Sequence, residues 1–150
     1  MMNYSRTEII EFVNKFEEEL FNSTAIKFNF DKKWSSNFPS RAGIYAIYDI
    51  DQLVYVGETA NLKERMKEVK RTYNHSFRKK LGKFLVEGSK VVKGKFEETL
   101  ELKLNDYYLE RINFRYKELN FGRLEVESYL IHRYCKNGLL NSVGKRNRID

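Results

Sequence analysis

Apolar residues recur at helical spacing at Ile9, Val13, Phe16 and Leu20, which predicts an amphipathic helix over residues 5–22 with one narrow buried stripe. Ser5 and Glu8 form a capping-box pair, which satisfies open N–H groups and sets the helix start. Residues 23–40 lose this periodicity and contain the only proline, Pro39. Residues 42–48 and 53–57 then read as two strands joined by a tight turn near Asp49–Asp51. If that turn takes three residues, Tyr48 pairs with Gln52 and Tyr45 with Tyr55, and the two tyrosines share a face. A four-residue turn would put them on opposite faces.

Helical periodicity returns after the hairpin. Asn61 is placed to cap a helix over residues 62–71, with Glu64 three positions on. Leu62, Met66 and Val69 make its core stripe, and Arg65 lies on the flank of that stripe. There a guanidinium can snorkel to water or reach across the sheet to an anion. A second helix is expected over residues 75–87. It carries Phe77, Leu81 and Phe84 on one side, with Arg78, Lys79, Lys80 and Lys83 elsewhere. Residues 96–110 are ambiguous and mildly helical, residues 112–119 alternate like a strand, and residues 123–135 form a last helix. The pattern is α+β, a small and mainly antiparallel sheet with helices packed on it.

Composition narrows the partner. A chain of 150 residues fits one domain, and a net charge of +7 favours a polyanion, nucleic acid ahead of an anionic membrane. The single cysteine, Cys135, excludes an internal disulfide and Cys₂His₂ or Cys₄ zinc sites, and fits a reducing cytoplasm. No apolar run reaches the ~20 residues of a bilayer span. The first ten residues lack the apolar core of a signal peptide.

The last helix holds a carboxylate in an unexpected place. At ~100° per residue, Leu124, Val126, Leu130, Ile131 and Tyr134 form a broad apolar arc, and Glu127 falls near its middle. Glu125, Ser128 and His132 fall on the polar side. A buried carboxylate needs compensation. Its partner is either a core lysine or arginine, or a hard divalent cation such as Mg²⁺ with oxygen ligands.

These residues together resemble a known family. "GIY" at 43–45, "YVG" at 55–57, "NLKERM" with Arg65, "EVESYLI" with Glu127 and the downstream Asn141 stand in the order of the GIY-YIG nucleases. The resemblance runs from about Ala42 to Asn141 and is weaker over 59–122. It implies a three-stranded antiparallel sheet flanked by helices, formed by residues 41–150. Residues 1–40 would add a helix and connecting segment packed on it as a lid or brace.

It further implies a DNA endonuclease with one Mg²⁺ or Mn²⁺ ion on Glu127. By the same resemblance Tyr45 acts as general base or orients the attacking water, and Tyr55 helps position or deprotonate that water. Arg65 stabilises charge on the scissile phosphate, with Asn141 in support. A phenol ionises only near pH ~10, so a tyrosine base needs help from the metal or Arg65.

There are two departures. Glu58 stands where many members have a lysine, and so places an acid close to the expected phosphate. Val69 stands where some have a histidine. His75 and Lys63 are the candidates for the missing cation. Lys63, Arg71, Arg78, Lys79, Lys80, Lys83 and the tail "GKRNR" are expected to neutralise backbone phosphates. Substrate specificity is then expected from loops, the N-terminal helix, a homodimer or a partner protein. The other readings are a catalytically weak or inactive nucleic-acid-binding relative and a small protein-interaction module.

Overall fold

The computed structural model describes residues 5–141, so the tail basic residues lie outside the described residues. Helix α1 (Arg6–Phe21) begins where expected, with the Ser5 hydroxyl accepting from the Glu8 N–H at 3.1 Å. Strand β1 (Ile26–Lys27) and a short 3₁₀ turn (Trp34–Asn37) follow. Then come β2 (Gly43–Asp49), β3 (Gln52–Thr59), α2 (Leu62–Glu68), α3 (Ser76–Leu85), α4 (Glu98–Arg111), β4 (Ile112–Glu118) and α5 (Arg123–Tyr134). The ambiguous stretch is therefore the helix α4.

The sheet has four antiparallel strands in the order β1-β4-β2-β3, one more than expected. The additional strand is two residues long, pairing Ile26 with Phe114 and Lys27 with Asn113. Two residues cannot display an alternating pattern, and β4 supplies the pairing.

Helices cover both faces of the sheet. One core cluster joins Tyr45, Ile47, Tyr55 and Phe114 to Trp34, Phe38 and residues of α2, α3 and α4. The other joins Ile44, Ala46 and Val56 to Val13, Phe16 and Leu20 of α1 and to Val126, Leu130 and Ile131 of α5. Helix α1 thus braces the face opposite the tyrosines.

The hairpin register differs from the expected one. Its turn takes two residues, Ile50 and Asp51, so Asp49 pairs with Gln52 and Tyr48 with Leu53. Continued unchanged, that ladder would set the two tyrosines on opposite faces. A bulge intervenes between Ile47 and Tyr48, leaving Val54 as the extra residue. Beyond it Ile47 pairs with Tyr55 and Tyr45 with Gly57. Tyr45 and Tyr55 are consequently diagonal neighbours on one face, with ring centroids 6.3 Å apart and planes within 24°.

β3 is an edge strand, and its outer groups are covered. The Asn141 amide accepts from the Val56 N–H at 2.9 Å and donates to the Val56 carbonyl at 2.8 Å. Leu140 N–H donates to the Val54 carbonyl at 2.7 Å. The Glu58 N–H donates to Glu127 Oε2 at 2.8 Å. Three different groups thereby take over the ladder role of a missing fifth strand.

Candidate active site

The site lies on the tyrosine face and is assembled from β2, β3, α2, the α2–α3 connection and α5. Gly57 makes room for it, because a Cβ there would fall on the ring and hydroxyl of Tyr45. Tyr45 is 1% exposed, and burial pushes its phenol well above the ordinary range, with Tyr55 adding to the rise and Arg65 opposing it. Tyr55 is shifted up for the same first reason, although the Ser76 hydroxyl 2.6 Å from its own works against the shift. Glu127 reaches the edge of β3 next to Gly57, through the Glu58 N–H at 2.8 Å, and its charge raises both phenols.

Arg65 is half-buried. One terminal nitrogen donates to Glu68 Oε2 at 2.9 Å and to the Asn74 carbonyl at 3.0 Å. The Tyr45 phenol is close enough for the two groups to interact electrostatically. Burial works against its charge, but Tyr45 and Glu68 outweigh that and the charged form is favoured. Glu68, at i+3, is the kind of partner helical spacing makes available, yet neither it nor Ser76 was anticipated.

His75 departs most from expectation. It is fully buried and caps α3, its Nδ1 accepting from the Phe77 N–H at 3.1 Å. A backbone N–H can only donate, so Nδ1 carries no proton and the neutral ring must be protonated at Nε2. Nε2 lies 2.8 Å from the Tyr45 hydroxyl, so His75 donates to it. Burial first, then the charges of Arg65 and Lys79, pushes the imidazole down to about 3. His75 is therefore a neutral donor and does not supply the missing cation. Lys79 lies near enough to His75 for its charge to be felt there.

This predicts an acid-sensitive fold. The unfolded chain takes up a proton at His75 near pH ~6.5, whereas the folded chain does so only near pH 3. Folded-state stability is thus fully present above pH ~6.5 and is lost as pH falls through the window below it. Between pH 7 and pH 4.5 the unfolding free energy from urea titrations should fall by about 1–2 kcal/mol more in the wild type than in His75→Gln. Equal falls would refute the buried neutral ring.

The remaining expected residues separate into two groups. Glu127 is half-buried, and one of its partners is the Glu58 backbone N–H. The apolar arc of α5 is also rotated from the expected one, with Leu124 42% exposed and Ser128 buried. Asn141 clamps Val56, so its contact is with the strand edge. Arg71 and Lys83 are exposed, while Lys63, Lys79 and Lys80 are half-buried. Lys63 sits about 200° around α2 from Arg65.

Arg78 corrects the expectation of a phosphate contact. It is 1% exposed and bonded to Glu101 at 2.9 Å, to Asn105 at 2.8 Å and to Thr72 at 3.1 Å. Phe84, expected in the core, is 71% exposed instead. The inward side of α3 is set by Phe77, Arg78, Leu81 and Gly82. A Cβ on Gly82 would strike the Phe96 ring, so glycine lets the following loop close on the helix.

Glu58 does not face the tyrosines. It pairs with Ile44, on the α1 and α5 face, and its carboxylate receives Arg123 Nε at 3.1 Å. The acid is thus turned away from the face that would meet a phosphate and is neutralised by α5.

Among the described residues, no group of three or more His, Cys, Asp or Glu could share an ion. The oxygens available are one Glu127 carboxylate and two phenols, and His75 has both nitrogens engaged. That donor set fits Mg²⁺ or Mn²⁺, hard ions that keep several waters and share phosphate oxygens, and does not fit a closed all-protein cage. Among the described residues no helix is long and apolar enough to cross a membrane.

Searches of the curated proteins and of the solved structures found no match. The family model of the GIY-YIG catalytic domain matches residues 41–139, about two thirds of the chain, and the protein belongs to the GIY-YIG family of nuclease domains.

Proposed function

We propose that the protein is a metal-dependent DNA endonuclease that hydrolyses phosphodiester bonds. The observation that carries this reading is the grouping of Tyr45, Tyr55 and Arg65 beside the β3 edge that Glu127 covers, from four elements spread along the chain. Glu127 would hold a divalent cation, which supplies charge neutralisation on the phosphate when bound. Water attacks phosphorus as the bond to the leaving sugar oxygen opens, one water proton passes to solvent, and the leaving oxygen takes up a proton from solvent to become the free hydroxyl. Arg65 balances the negative charge that builds on the phosphoryl oxygens.

Tyr45 is best suited to orienting rather than deprotonating. Its hydroxyl oxygen accepts from His75 Nε2–H, with Arg65 nearby, and burial keeps its own proton in place. A phenol that already accepts from His75 and keeps its proton has that proton to give, so it donates to the attacking water or to a phosphate oxygen. Tyr55 is held beside Tyr45 by its hydrogen bond to Ser76.

Supercoiled plasmid incubated with the protein and Mg²⁺ or Mn²⁺ should convert to nicked or linear form, with conversion blocked by EDTA. Arg65→Ala should be about 100-fold slower. Wild type and Arg65→Ala behaving alike on plasmid, branched and single-stranded DNA would defeat the assignment. DNA binding without cleavage would make the protein a binding relative instead.

A further inference from the structure

Residues 86–97 link α3 to α4 and carry a small basic hairpin. Val92 and Lys95 exchange backbone hydrogen bonds at 2.8 and 3.2 Å, closing a two-residue turn over Lys93 and Gly94. Both central residues have positive φ, 53° at Lys93 and 81° at Gly94. That is the type I′ pattern, where asparagine is the usual first residue. A lysine in this region is strained by about 1–2 kcal/mol, and nothing in the packing of the fold requires a lysine there.

Gly94 is constrained twice, because a Cβ would come within 2.6 Å of the Tyr73 ring. Tyr73 therefore rests directly on the turn, yet it is 75% exposed. It is joined to the candidate active site through the next two residues. The Asn74 carbonyl accepts from Arg65, and His75 Nε2–H donates to the Tyr45 hydroxyl. The root of the hairpin is fixed as well. Phe96 is buried against Gly82, and its N–H donates to the Glu101 carboxylate that also holds Arg78. A bare aromatic ring is thus held between the catalytic wall and a rigid turn. Arg71, Lys90, Lys93 and Lys95 are exposed around it, and among the described residues these four make no ion pair.

We propose that Tyr73 on the Lys93–Gly94 turn is a stacking platform for an unpaired nucleobase next to the scissile phosphate, with Lys90, Lys93 and Lys95 holding the adjoining backbone. An exposed π-face among mobile cations is the arrangement that binds single strands without reading their sequence. The proposal rests on the endonuclease reading for its substrate and gives that substrate a form, DNA with a splayed or single-stranded flank.

The test is fluorescence anisotropy in EDTA with the full chain, comparing a labelled splayed-arm DNA with a fully paired duplex of the same sequence. Wild type should prefer the splayed-arm DNA. Tyr73→Ala should lose about tenfold on that DNA and little on the duplex, as expected for one stacked base. Tyr73→Phe should bind like wild type, and both variants should melt like it because the ring is exposed. Lys93→Asn combined with Lys95→Gln, which keeps a favourable turn, should weaken both DNAs alike and reduce the salt slope by about 1.5–2. The proposal falls if Tyr73→Ala binds like wild type, or if it loses equally on both DNAs. No step here requires cleavage. Selective loss in a chain that never cuts would defeat the nuclease reading alone, and cutting with an indifferent Tyr73 would defeat this proposal alone.

Discussion

Glu127→Gln should slow DNA cleavage about a thousandfold, at the upper end of what removing one charge-stabilising group does, while leaving the fold intact. The two side chains have the same shape. The amide oxygen of glutamine can still accept the Glu58 N–H that Glu127 accepts at 2.8 Å, so the covered edge of β3 stays satisfied. What disappears is the negative charge that raises the Tyr45 and Tyr55 phenols. Two consequences have opposite signs. Cleavage falls because a neutral amide is a poor ligand for a hard cation. DNA binding in EDTA tightens severalfold, because a carboxylate no longer faces a phosphate. Glu127→Ala is the less informative variant, since it also leaves the Glu58 N–H without this acceptor and adds a destabilisation of about 1–3 kcal/mol. Cleavage by Glu127→Gln at the wild-type rate would remove the carboxylate from the reaction.

The features legible in the sequence are those that periodicity fixes. The alternation of "GIYAIYD" and the helical spacing around Arg65 assigned faces, the caps at Ser5 and Asn61 set helix starts, and the arc of α5 was placed only to within a rotation that exposes Leu124 and buries Ser128. The hairpin pairing was not legible. Periodicity carries only odd or even information, and a turn shorter by one residue was offset by the extra Val54. The tyrosines therefore share a face although their partners differ. The direction of Glu58 follows from the same alternation, because it is one residue past Gly57 and so opposite in face to the active-site side. The state of His75 depends on tertiary burial and on a backbone donor two residues away, and no local pattern shows either. Strand β1 is too short to signal itself.

Arg78 shows most clearly where charge patterning misleads. In "FRKK" it reads as one more cation of a DNA-binding face, because its partner Glu101 is far along the chain on α4. Arg78→Ala should cost about 3 kcal/mol of folding stability, the low end of the range for breaking a buried ion pair. The low end applies for two reasons. Glu101 keeps its bonds from the Thr72 hydroxyl and the Phe96 N–H. Arg78 is itself imperfectly satisfied, since its buried Nη1 has no partner in the structure. The guanidinium also lies 5.2 Å over the Tyr108 ring, whose hydroxyl ties α4 to the Val69 carbonyl, so the loss spreads to the α2–α4 contact. For a chain of this length such a change lowers the melting temperature by roughly 10 °C. Arg78→Lys should recover only part of it, because an ammonium cannot reproduce the fork that reaches Glu101, Asn105 and Thr72 together. Lys83→Ala, by contrast, should melt within about 0.5 kcal/mol of wild type and flatten the salt dependence of DNA binding by about 0.9 if that lysine meets a phosphate. If Arg78→Ala melted like wild type while flattening the salt dependence, Arg78 would return to the DNA face and the buried network would be incidental to the fold.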